Sequence, residues 1–142
     1  MDLQVQEQGA NNKTRNYLLV VGGIIEIVLA FICMVLGVFA TSIFATETLP
    51  QNYKFLLQNA VGIVGLVAFG FGFAGALCAF ERKYLPFAVL GTAVIMVWAI
   101  LVAKLALIAP SGYDRMTGVM FSMFIFIFSI VSLVFIVASR NR

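Results

Sequence analysis

Four long apolar runs separated by short polar stretches set the pattern of this chain, over residues 18–39, 60–80, 85–106 and 116–138. Each supplies the ~20 apolar residues that a helix needs to cross a bilayer. None alternates polar with apolar residues as a barrel strand would, and lipid tolerates only helices or closed barrels. The pattern predicts an all-α integral membrane four-helix bundle. Residues 1–16 are polar and rich in Gln and Asn, and read as a mobile cytoplasmic N-terminal tail. Residues 17–142 then form a single four-span transmembrane domain. The first run is too long to be the core of a cleaved signal peptide.

The connections refine this layout. The longest, 41–59, holds Glu47, Pro50 and Lys54. Glu81-Arg82-Lys83-Tyr84 reads as a tight turn, with Pro86 at a position suited to the first turn of a helix. The tyrosines Tyr17, Tyr53, Tyr84 and Tyr113 fall at span ends, as an aromatic belt requires. One side carries Lys13, Arg15, Arg82, Lys83, Arg140 and Arg142, and the other carries Lys54, Lys104 and Arg115. That bias places both termini in the cytoplasm.

Composition narrows the chemistry. The chain is 63% hydrophobic and 11% charged, against ~25% charge in a soluble domain. Its spans and connections leave no room for a soluble catalytic domain. Histidine is absent, which removes the commonest metal ligand and the usual general base. Cys33 and Cys78 lie in different spans without a CxxC pair or a Cys/His cluster, so they read as packing residues, and no metal centre or cofactor is expected. The net charge of +3 is spread over the flanks and suits membrane orientation rather than nucleic-acid binding.

Small residues recur at heptad-like spacing. The second span has the most regular stripe: Gly65, Ala68, Gly72, Gly75 and Ala79. The first span carries Gly23, Ala30, Cys33, Gly37 and Ala40, and the fourth Gly118, Ser122, Ile125, Ser129 and Ser132. In the third, Ala88, Thr92, Ala99 and Ala103 form a weaker stripe. Small residues let membrane helices approach closely, so these stripes are the expected packing seams. Phenylalanines such as Phe71, Phe124 and Phe128 fall off the stripes and are expected to face lipid. Trp98, in mid-span rather than in the belt, marks a candidate protein–protein face.

Glu26 stands out within Gly22-Gly23-Ile24-Ile25-Glu26-Ile27. An ionisable group at membrane depth costs roughly 2.5–3.5 kcal/mol on insertion scales, so it should face a partner or a cavity. At 1.5 Å of rise per residue it lies ~12 Å from the cytoplasmic end of its span, against ~27 Å for Lys104. The two cannot bridge that gap, and Lys104 is expected to snorkel to the outer surface. Gly72, Thr92, Ser129 and Ser132 fall at matching depth. The expected intramembrane polar site is therefore Glu26, Thr92, Ser129 and Ser132, either as a hydrogen-bonded clasp or as a proton or cation site.

The Gly22-to-Glu26 stretch, in a four-span chain of this size, resembles the first helix of the small multidrug resistance exporters. That likeness implies a membrane glutamate that exchanges protons for cationic drugs within a dimer. The third span, Pro86-Phe87-Ala88-Val89-Leu90-Gly91-Thr92-Ala93, lacks that family's Trp-containing glycine motif. Over most of its length the chain is similar in layout to small prokaryotic four-span families of unknown function. Claudin-like and tetraspanin-like readings fail because the loops have no cysteines.

Two functions are expected from these features. The first is a non-enzymatic accessory or structural subunit packed within a larger membrane complex, with lipids and other subunits or further copies of itself as partners. The alternative is a small proton-coupled transporter of cations using Glu26. No nucleophile, acid–base pair or metal cluster points to an enzyme. The expected location is a prokaryotic cell membrane.

Overall fold

The computed structural model describes residues 2–42, 50–82, 84–108 and 112–140, with side chains for 8–39, 50–56, 58–82, 84–108 and 115–140. All regular structure among them is helical. Helix α1 runs Asp2–Ser42 and α2 runs Gln51–Leu56. A π-helical segment, Leu57–Ile63, joins α2 without a break to α3, Val64–Glu81. Helices α4, Leu85–Leu107, and α5, Gly112–Arg140, complete the chain. Four helical units are long and apolar enough to cross a membrane: Gln8–Phe39, Gln51–Glu81, Leu85–Leu107 and Arg115–Arg140. The chain is thus a multi-pass helical membrane protein.

The helices form a four-cornered bundle. Helix α1 packs on α3 and α5, and α4 packs on the same two, so α1 and α4 face each other across the centre. Successive spans are antiparallel, which brings both ends of the chain to one end of the bundle. The α1–α3 seam is a ladder of small residues. A methyl carbon built on Gly23 would lie 3.2 Å from the Phe80 ring. One on Gly72 would lie 3.1 Å from Ala30 Cβ, and one on Gly37 would lie 3.1 Å from the Gly62 carbonyl oxygen. Gly65, Ala68, Gly72, Gly75 and Ala79 are all buried, joined by Ala76. In α1, Gly23, Ala30, Cys33 and Gly37 are buried, and the Ala40 side chain lies outside the described ones. Phe71, Phe124 and Phe128 are exposed on the outer faces, where lipid would meet them.

Several expected boundaries move. Residues 2–16, read as a tail, continue the helix of the first span. Their Gln, Glu, Lys and Arg residues are good helix formers, and no proline interrupts them. The 41-residue helix is ~60 Å long, about twice the apolar thickness of a bilayer. The second span, expected from residue 60, belongs to a helix that begins at Gln51. The Pro50 carbonyl closes its first turn by accepting from the N–H groups of Tyr53 (2.9 Å) and Lys54 (3.0 Å). Hydropathy marks where lipid begins, whereas backbone hydrogen bonds mark where a helix begins. Glu47 lies outside the described residues. The turn after α3 is made by Arg82 and Tyr84, both at positive φ of 56° and 55°, with Lys83 outside the described residues.

Trp98 overturns its expectation as an exposed protein–protein face. It is wholly buried, and its Nε1–H donates to the Val61 carbonyl oxygen at 3.2 Å. Val61 lies in the π-helical segment, where the wider turn redirects backbone bonds. There the N–H of Val64 reaches back to the carbonyls of Asn59 and Val61. The indole thus adds a second donor to a carbonyl of the irregular turn. Its ring also presses on Gly65, where an added methyl carbon would lie 3.0 Å from Nε1. Tyr53 is likewise more than a belt residue, since its hydroxyl donates to the Leu105 carbonyl oxygen at 3.3 Å.

Two glycines separate packing from helix propensity. A methyl carbon on Gly118 would fall 2.6 Å from Ala106 Cβ, whereas one on Gly70 meets nothing within 4 Å. Gly118→Ala should destabilise the bundle by ~1–3 kcal/mol through overpacking. Gly70→Ala should be neutral or stabilising by up to ~1 kcal/mol, because alanine favours helix. Thermal unfolding in detergent measures both, and equal effects of the two changes would contradict the α4–α5 contact.

Candidate functional site

The core is divided along the bundle axis. One apolar cluster holds Leu29, Ala30, Cys33, Ala68, Ile95, Trp98 and Ile125. A smaller one, nearer the chain termini, holds Ala79, Ala88 and Ile136. The helical residues between them include Glu26, Thr92, Ser129 and Ser132, all buried with essentially no solvent exposure. A polar layer therefore interrupts an apolar interior.

Glu26 projects from α1 towards α4 across the bundle centre. Its carboxyl fits there because two helices have no side chain in the way. A methyl carbon on Gly75 of α3 would lie 2.6 Å from Glu26 Oε1, and one on Gly91 of α4 would overlap the same oxygen. Backbone carbonyls face the same gaps. That of Phe87 lies 3.1 Å from the Gly75 position, and that of Phe71 lies 2.6 Å from the Gly91 position.

The expected partners arrange themselves differently. The Thr92 hydroxyl is near enough to act on the Glu26 carboxyl, but it donates to the Ala88 carbonyl oxygen at 3.0 Å. Ser129 donates to Ile125 at 2.8 Å. Ser132 donates to the Gly22 carbonyl oxygen of α1 at 3.0 Å. The clasp between the first span and the bundle is thus made by Ser132, on the carbonyl that the helical N–H of Glu26 also reaches. Among the described residues neither oxygen of Glu26 meets hydrogen-bond geometry, although the Thr92 hydroxyl lies close by. Lys104 is exposed and far along α4, so it does not pair with Glu26.

The depth match to Gly72 is off by one helical turn, and Gly91 was missing from the expected set. Both follow from side-chain direction. A helical side chain leans towards the N-terminus of its own helix. The Glu26 carboxyl therefore sits closer to the termini-bearing end than its Cα does, level with Gly75 and Gly91. The sequence signal for Gly91 is its position beside Thr92, three residues after the small Ala88.

Surface grooves lie elsewhere. One of about 460 Å³ runs along α1 over Val28, Phe31 and Val35 and meets Phe121. A second, about 250 Å³, lies between α4 and α5 beside Lys104. A third, about 410 Å³, lies between the start of α4 and the end of α5, beside Arg140. Glu26 lines none of the three. Among the described residues no group of three or more His, Cys, Asp or Glu side chains is placed to hold a metal. Cys33 and Cys78 are free.

Fold and site together define a helical membrane bundle with an enclosed acidic residue. No family model, curated protein or solved structure matches the chain.

The fit of Glu26 against Gly75 gives a direct check. Gly75→Ala should destabilise the bundle by ~1–3 kcal/mol, because the methyl group meets the carboxyl. Adding Glu26→Ala removes that obstacle, so the double variant should recover part of the loss, with a coupling of ~0.5–3 kcal/mol. Strict additivity in thermal unfolding would show that the two positions do not touch.

Proposed function

We propose that this chain is a non-enzymatic membrane protein that takes up and releases a proton at Glu26, in the manner of a small proton-coupled transporter. The observation that carries this reading is the pair of buried carboxyl oxygens that, among the described residues, lack a well-formed hydrogen bond. A carboxyl kept for structure alone is normally hydrogen-bonded, and one that is not calls for another explanation. Backbone carbonyls of Phe87 and Phe71 lie beside its glycine cradle and can only accept hydrogen bonds, and the Thr92 hydroxyl close by gives its proton to Ala88. Such surroundings suit a group that brings its own proton. Releasing that proton inside the closed bundle would leave an uncompensated charge, a strongly unfavourable state. Deprotonation is therefore tied to parting of the helices and entry of water. The glycine cradle is too tight for a multi-atom cation, so any coupled cargo must enter an opened state.

We further propose that both ends of the chain face the cytoplasm, which the six-to-three distribution of basic residues supports. A second reading, an accessory subunit within a larger membrane complex, is favoured by the closed fit of the small-residue seam around Glu26. In that case the carboxyl is sealed for the lifetime of the bundle.

Proton flux separates the two readings. Wild type and Glu26→Gln are reconstituted in proteoliposomes containing a pH-sensitive dye, with counter-ion movement permitted. Wild type should dissipate an imposed pH gradient faster than empty vesicles. Glu26→Gln should match empty vesicles while retaining the thermal stability of wild type. Wild type indistinguishable from empty vesicles, together with a stoichiometric partner in mild detergent, would establish the subunit reading instead.

A further inference from the structure

The groove between α4 and α5 at the termini-bearing end belongs neither to the Glu26 site nor to the packing seams. Its walls are apolar: Leu85, Pro86 and Val89 from the start of α4, and Ile136 and Val137 from the end of α5. Arg140, one turn beyond Ile136, is the charged residue among the described lining ones. That arginine is exposed and makes no ion pair or hydrogen bond among the described residues. Ile136 forms the floor at 1% exposure, packed with Ala79 and Ala88. Val137 is 40% exposed and stands on the rim. The groove therefore offers an apolar trough along the membrane depth with the Arg140 cation at its mouth.

We infer that this groove is a binding site for one anionic phospholipid, with an acyl chain along Leu85, Val89 and Ile136 and the headgroup phosphate on Arg140. The chemistry of the two ends selects such an amphiphile. An apolar trough of about 410 Å³ is large enough for a substantial length of hydrocarbon chain, and hydrocarbon gains from burial wherever it fits. The guanidinium forms charge-assisted, forked hydrogen bonds to phosphate oxygens. Its place in the last turn of a membrane-crossing helix puts it at headgroup level, where basic pockets between helices hold anionic lipids. A zwitterionic lipid would fill the same trough but carries a compensating positive charge at the surface. An apolar protein segment would leave Arg140 unused.

Native mass spectrometry of the full chain in detergent, with added phosphatidylglycerol or phosphatidylcholine, tests this. Wild type should retain one phosphatidylglycerol in preference to phosphatidylcholine. Arg140→Gln should weaken phosphatidylglycerol binding about fivefold, the effect of one basic residue on an anionic headgroup. Val137→Trp, a substitution on the exposed rim that the fold can accommodate, should fill the trough and weaken it by about tenfold or more. Arg15→Gln removes the same charge at the same end of the bundle, away from the groove, and should leave binding unchanged. An equal loss in Arg15→Gln and Arg140→Gln would reduce the effect to general surface charge and overturn the site. So would undiminished binding in Val137→Trp, or equal retention of the two lipids by wild type. A photo-crosslinker at position 137 that captures a polypeptide instead of lipid would also overturn it.

Discussion

Everything in the interior of this bundle is arranged around one carboxyl group that lipid and apolar side chains cannot stabilise. Glu26 is wholly buried. It fits only because Gly75 and Gly91 present backbone without side chains on the two helices facing it. The hydroxyls at its level direct their protons elsewhere. Thr92, Ser129 and Ser132 give their protons to carbonyls of Ala88, Ile125 and Gly22. Those bonds are individually modest, on the order of 0.6 kcal/mol each in a membrane interior. They spare the hydroxyls from exposure to hydrocarbon, and the Ser132 bond also pins α1 to α5. They leave the carboxyl as the group whose chemistry is unfinished.

The same close packing governs the rest of the bundle. In lipid there is little hydrophobic gain in bringing helices together, so contact and hydrogen bonding must do it. The small-residue ladder of α1, from Gly23 on Phe80 of α3 to Gly37 on Gly62 of the π-helical segment, supplies contact. Further along, the π-helical turn widens the second spanning unit, and Trp98 fills the space and caps the Val61 carbonyl. A rigid small-residue seam thus flanks Glu26 on one side, and an irregular turn lies beyond it towards the opposite end. That combination holds the carboxyl in a closed pocket while placing a non-standard backbone element on the neighbouring helix.

What the sequence determined by itself is the architecture and the composition of the faces. Four apolar runs of bilayer length admit no other solution than spanning helices, because every backbone polar group in lipid must bond within its own segment. The 3.6-residue period then assigns Gly65, Ala68, Gly72, Gly75 and Ala79 to one face, and a buried face must carry small residues where helices touch. Glu26 was conspicuous for the same reason, as a lone charge in an apolar run. How these faces meet depends on packing between helices distant in sequence. The neighbours of Glu26 depend on helix order around the bundle and on the lean of the side chain towards its own N-terminus, which shifts the partner glycine from Gly72 to Gly75 and adds Gly91. Trp98 reads in one dimension as out of place, because its acceptor lies 37 residues away in a turn whose π-helical form has no sequence signature. Hydroxyl partners are equally invisible to periodicity, since Ser132 can bond within its own helix or, as here, to Gly22 on another. Local pattern marks the small-residue faces that become buried, and three-dimensional packing alone fixes what each residue touches.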